Sequence, residues 1–155
     1  MGKLGITASM QPVHADPAGL ENWLAMIGPE RANYGFAWPL HLAAGSTLAF
    51  GTDTPTAPYQ ALPNMYIAST RKSPTNDSLP ALRPDWALPL KEAILHGTRE
   101  SAWAAWLDHV TGVLKPGHAA DIVVLDRDFL ADGPASLLKT NVKLTMMNGE
   151  VVYPV

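Results

Sequence analysis

The residue most open to a chemical role is Asp53. It stands in Gly51-Thr52-Asp53-Thr54-Pro55, directly after the apolar run Thr47-Leu48-Ala49-Phe50. A carboxylate at the carboxyl end of a buried strand lies where α/β folds gather reactive groups. There it binds a divalent metal, or acts as a general base toward a metal-bound water. The same residue type also opens turns and caps helices, and spacing alone does not separate these roles. His14, in Gln11-Pro12-Val13-His14, follows a second strand-like run. If the two strands are parallel neighbours, His14 and Asp53 share one rim. A neutral imidazole there ligates metal or hydrogen-bonds substrate, or simply bonds loop backbone.

Other chemistries find less support. His41, His96, His109 and His118 lack a partner at ligand spacing, and neither His-x-His nor His-x-x-x-His occurs. Ser9, Ser46 and Ser69 lie outside any Gly-x-Ser-x-Gly setting. No glycine-rich phosphate cradle is present. With no cysteine, disulfides, thiolate metal sites and Cys nucleophiles are excluded. Any metal must therefore be held by His, Asp, Glu or water.

Several elements must position these residues. Residues 4–13 alternate and read as a short strand stopped by Pro12. Asp16 before Pro17 fits a helix start. Leu20, Trp23, Leu24 and Ile27 then predict an amphipathic helix over 17–27, ended by Gly28-Pro29. A short helix from Trp38 to Ala44 closes at Gly45, and residues 47–51 form a buried strand. From Asp53 to Ala87 prolines punctuate a stretch with little periodicity, with room for one helix over 62–70. Pro89 starts a longer helix that Gly97 weakens or splits. The last third is β-rich: a strand at 122–125, then two runs flanking Asn148-Gly149, a hairpin signal because both residues tolerate positive φ. The five tryptophans read most simply as core.

Composition bounds the rest. The chain has 155 residues, 47% apolar and 16% charged, which argues against disorder. A net charge of -3 without a basic block argues against nucleic acid. No apolar run is long enough for a membrane span, and the N-terminus lacks signal-peptide features, so a cytoplasmic protein is expected.

Taken together, Leu4-Gly-Ile-Thr-Ala-Ser-Met-Gln-Pro-Val-His-Ala, Phe50-Gly-Thr-Asp-Thr-Pro, Gly112-Val-Leu-Lys-Pro-Gly-His-Ala-Ala-Asp-Ile-Val-Val-Leu-Asp and the closing Met147-Asn-Gly-Glu-Val-Val-Tyr carry a resemblance. The chain resembles the C-terminal part of metal-dependent amidohydrolases, in the N-substituted formamide deformylase-like branch. The resemblance implies an α/β fold: the last two βα units of a TIM-type (β/α)8 barrel over 1–111, plus C-terminal strands of a small β-sandwich over 112–155. In the family the aspartate after the eighth strand sits beside the metal and handles the proton of the attacking water. Asp53 matches that position, as catalytic residue and metal neighbour, and His14 matches a substrate-facing rim position.

The family's His-x-His, its bridging Lys and its later His ligands are not in this sequence. The resemblance places them upstream of Met1, since a full barrel needs at least ~200 residues. A truncated product, an excerpt or one piece of a split enzyme is therefore expected. The implied function is hydrolysis of amide- or formamide-type C–N bonds in a small-molecule substrate. The implied cofactor is a divalent metal, zinc, bound only if another chain or segment supplies the missing ligands. A non-catalytic remnant that binds or oligomerises is the alternative. Bare strand edges predict a homo-oligomer or a complementary N-terminal barrel portion as partner.

Overall fold

Two short parallel strands form the floor of the molecule. The computed structural model describes residues 1–154. Strand β1 (Ala8–Met10) pairs with β2 (Leu48–Phe50) in the register Ala8 to Leu48 and Met10 to Phe50. All three residues of β2 are buried, as a strand covered on both faces requires. Parallel pairing needs a long crossover. It runs through helical turns at Pro12–Ala15 and Pro17–Gly19, then α1 (Leu20–Ala32) and α2 (Trp38–Ala43).

Helix α1 differs from expectation in two ways. Its turns break at Gly28, at φ 77°, but resume through Pro29 to Ala32 rather than ending. Proline lacks the N–H that the first turn of a helix leaves unpaired anyway, so Pro29 restarts the helix without loss. The apolar positions Leu24 and Ile27 are exposed rather than buried against a core. Asp16 does cap the turn that precedes it, accepting from the Ala18 N–H at 2.9 Å.

After β2 the chain loops to α3 (Ala61–Thr70), whose Met65 to Ser69 are buried. Helix α4 (Leu90–Gly97) is separated from α5 (Arg99–Ala104) by Thr98, at φ -125° and ψ -88°, so the long helix is two short ones. The core gathers Trp38, Leu48, Phe50, Ile67 and Ala93 around α3. The C-terminal third adds β3 (Ile122–Leu125), α6 (Phe129–Asp132), β4 (Val142–Met147) and β5 (Glu150–Tyr153). The strands form an antiparallel sheet in the order β3-β4-β5. Between α6 and β4 the turn Pro134–Lys139 packs back on α3, and Leu137 joins the same core. Trp38 and Trp86 are buried, but Trp103 and Trp106 are exposed and stacked on each other, which corrects their assignment to the core.

Candidate functional site

The parallel strand pair aims two loops at one rim. Pro12 fixes the backbone at the start of the turn after β1, and His14 follows on its outer side. Past β2 the chain reaches Asp53 in the left-handed region, at φ 63°, which aspartate tolerates better than most residues. The loop then closes on itself: the Ala57 N–H donates to the Asp53 carbonyl at 3.0 Å, and Thr54 Oγ1 donates to the Ala57 carbonyl at 3.0 Å.

His14 Nε2 lies 3.0 Å from Asp53 Oδ2, across 39 residues of sequence. An ionised carboxylate only accepts, so the contact requires a proton on Nε2. The two side chains are 34% and 49% exposed. A pair this open contributes about 0–1 kcal/mol to stability, so it is poorly explained as a structural tie. Asp53 Oδ1 has no partner among the described residues and remains free to accept from a water or a substrate. The Phe36 ring stands 6.2 Å from the His14 ring, and Trp23 packs 5.3 Å behind Phe36.

A second layer of side chains holds these loops. Asn64, in the first part of α3 and 3% exposed, accepts from the Val13 N–H at 2.7 Å through Oδ1 and donates to the Gly51 carbonyl at 2.8 Å through Nδ2. Arg71, fully enclosed, donates from Nε to the Leu82 carbonyl at 2.7 Å and from Nη1 to the Phe36 carbonyl at 3.3 Å. Its guanidinium also lies 4.5 Å over the Trp38 ring. Burial, reinforced by the nearby Arg83, lowers the Arg71 pKa to about 10, so it stays charged at neutral pH. Neither Asn64 nor Arg71 stands out in the sequence. A buried asparagine inside a helix carries no local pattern, and an arginine just past a helix end reads as solvated.

Among the described residues no group of three His, Cys, Asp or Glu could hold a metal ion. His14 and Asp53 supply two donors, and a catalytic zinc normally takes three protein ligands. These residues alone therefore do not fit such a centre. His41, His96, His109 and His118 do not join the pair. His96 is buried against Phe50, and His118 lies within 3.2 Å of the Asp108 carbonyl.

Comparison with known proteins completes the site's context. A family model described as the amidohydrolase family matches residues 1–153. The chain is 33% identical over 127 residues to YtcJ of Bacillus subtilis, covering 82% of this chain and 24% of that protein. It is 34% identical over 159 aligned positions to the Arabidopsis thaliana protein LONG AFTER FAR-RED 3, covering 99% of this chain and 26% of that one. Its fold is similar to that of an uncharacterized metal-dependent hydrolase from Pyrococcus horikoshii, with a TM-score of 0.65 and 27% identity, over 83% of this chain and 26% of the other. The chain thus spans about a quarter of the length of the curated relatives it matches. A mixed α/β architecture, a rim pair on parallel strands and a family match over nearly every residue agree, and the chain belongs to the amidohydrolase family.

Proposed function

We propose that this chain contributes the last two strand–helix units of a TIM-type barrel over residues 1–111 and sandwich strands over 112–155. In this reading the assembled protein is a hydrolase of the formamide deformylase-like branch. It cleaves amide- or formamide-type C–N bonds in a small-molecule substrate, in the cytoplasm. The observation that carries the reading is the 3.0 Å contact of His14 with Asp53 at the carboxyl ends of two parallel strands.

The geometry supports a division of labour. The His14 Nε2–H holds Oδ2 and orients the carboxylate. Oδ1 accepts a proton from water as the water oxygen bonds to the carbonyl carbon of the substrate. Asp53 then gives that proton to the departing nitrogen as the C–N bond breaks, leaving a carboxylic acid and an amine. His14 is also placed to hydrogen-bond the substrate once it displaces the contact with Asp53. The divalent metal of the family, zinc in this reading, would draw at most Asp53 from this chain, with its other ligands supplied by another segment or chain.

The test is hydrolysis of a panel of amides and formamides by the protein, with and without added zinc. Asp53→Asn is expected to lower the rate by at least ~100-fold, the lower end of what a positioned general base supplies, with the melting temperature unchanged. Hydrolysis that survives Asp53→Asn overturns the reading. A second reading, a non-catalytic binding or oligomerising module, is favoured by the shortfall of metal ligands among the described residues. Complete absence of hydrolysis under every condition selects it.

A further inference from the structure

The two loops of the rim leave their strands just where the ladder runs out. The last parallel-strand bond is the Gly51 N–H to the Met10 carbonyl, at 3.1 Å. Beyond it, β1 turns into the Pro12–Ala15 helical turn and the loop after β2 heads toward Asp53. The Val13 N–H and the Gly51 carbonyl are thereby separated from the ladder and from each other. Neither has a backbone partner in the ladder, so each turns to a side chain or to water.

One side chain serves both. A carboxamide carries an acceptor and a donor on a single planar head. Asn64 uses them in that order, 2.7 Å from the Val13 nitrogen and 2.8 Å from the Gly51 oxygen. A backbone N–H can only donate and a carbonyl only accept, so the orientation of the amide is dictated by its partners. Its distance from them in sequence, 51 and 13 residues, makes this a tertiary clamp rather than a local turn. Val13 immediately precedes His14, and Gly51 lies two residues before Asp53. The clamp therefore sets the separation of the two functional side chains. The exposed pair itself is too weak to hold two loops together.

We infer that Asn64 is the positioning residue of the rim: its side chain bridges the loops after β1 and β2 and so holds His14 against Asp53. The inference rests on reading His14 and Asp53 as the site, but its test needs no catalysis. The nitrogen-15 resonance of His14 Nε2, followed at fixed pH in the whole chain, reports the contact with Asp53. Asp53→Asn gives the shift that marks its loss. Asn64→Leu, close in volume but unable to donate or accept, is expected to move the resonance in the same direction by at least half as much. Added to Asp53→Asn, it is expected to move the resonance little further. A His14 resonance unchanged by Asn64→Leu overturns the inference. If Asn64→Leu does not fold, hydrogen exchange of the unaltered protein decides. The Val13 amide is expected to be protected like the ladder amide of Gly51, and exchange at the rate of a free amide overturns the clamp. An amide panel that stays unhydrolysed while both readouts hold removes the enzymatic reading and leaves the positioning role standing.

Discussion

Arg71 ties together the packing behind the rim with one enclosed side chain. Among the described residues its guanidinium makes no ion pair with a carboxylate, and it is held by carbonyls and by the Trp38 face. Removing it leaves the half-buried Leu82 and Phe36 carbonyls without this donor, at up to about 1–3 kcal/mol each. Arg71→Met is therefore expected to destabilise the protein by about 2–4 kcal/mol, read from the urea midpoint. Arg71→Lys is expected to restore little, because an ammonium cannot reproduce the planar fork. His96 makes a second prediction. Its ring nitrogens are buried with no hydrogen bond of full geometry among the described residues, and it packs edge-on against Phe50. Burial lowers its pKa, against the pull of Glu100, Glu92 and the nearby Leu48 backbone and alongside a push from Arg99. The unfolded chain then takes up a proton near pH ~6.5 that the folded protein resists. Stability from this group is complete above that pH and is lost as pH falls toward the depressed folded value. Urea midpoints at pH 7.5 and 5.5 should show the drop, and His96→Leu should reduce it.

At the scale of elements, the C-terminal sheet is closed by side chains at both ends. Asn148 and Gly149 turn the β4–β5 hairpin at φ 51° and 84°. The tip is then pinned to the preceding turn: the Asn148 N–H donates to Asp121 Oδ1 at 2.9 Å and the Gly149 N–H to the Ala120 carbonyl at 3.1 Å. A side chain at position 149 must adopt a backbone conformation that costs of order 1–3 kcal/mol. Gly149→Val is expected to lower stability by about that amount in thermal melts while leaving the His14–Asp53 contact intact. At the other end, Asp126 accepts from the Asn141 side-chain and backbone nitrogens at 2.7 and 3.0 Å, which holds its carboxyl down at about 2. The parallel pair has no comparable closure. β1 and β2 pair as strands only with each other among the described residues, and on the outer edge of β2 the Phe50 carbonyl accepts from Ser101 Oγ at 2.9 Å instead of from a third strand.

For the whole molecule, exposed area is the telling quantity. A monomeric globular protein of 16.6 kDa is expected to expose roughly 7,600 Å². This chain exposes 9549 Å². The excess of about 2,000 Å² is larger than one side of a standard protein interface, about 800 Å². Large apolar side chains occupy part of it: Leu24, Ile27, Trp103, Trp106, Leu107 and Leu114 are all exposed. Surfaces of this kind mark association. The chain is therefore expected to sediment above 16.6 kDa at micromolar concentration, as a homo-oligomer or with a complementary barrel portion. Strictly monomeric sedimentation would sink that expectation. No helix among the described residues is long and apolar enough to cross a membrane.

What the sequence by itself determined is local. The strand at 122–125, the Asn148-Gly149 hairpin, the break after Gly97 and the placement of His14 and Asp53 after strand-like runs follow from side-chain period and turn chemistry, which act over a few neighbouring residues. Tertiary structure alone decided that the two runs pair in parallel and bring His14 to within 3.0 Å of Asp53. It also decided that Asn64 bridges the two loops, that Arg71 is enclosed, and that Leu24, Ile27 and two tryptophans face outward. Those outcomes depend on which distant groups need a hydrogen-bond partner and which apolar faces find a neighbour. Neither need leaves a periodic mark in the chain.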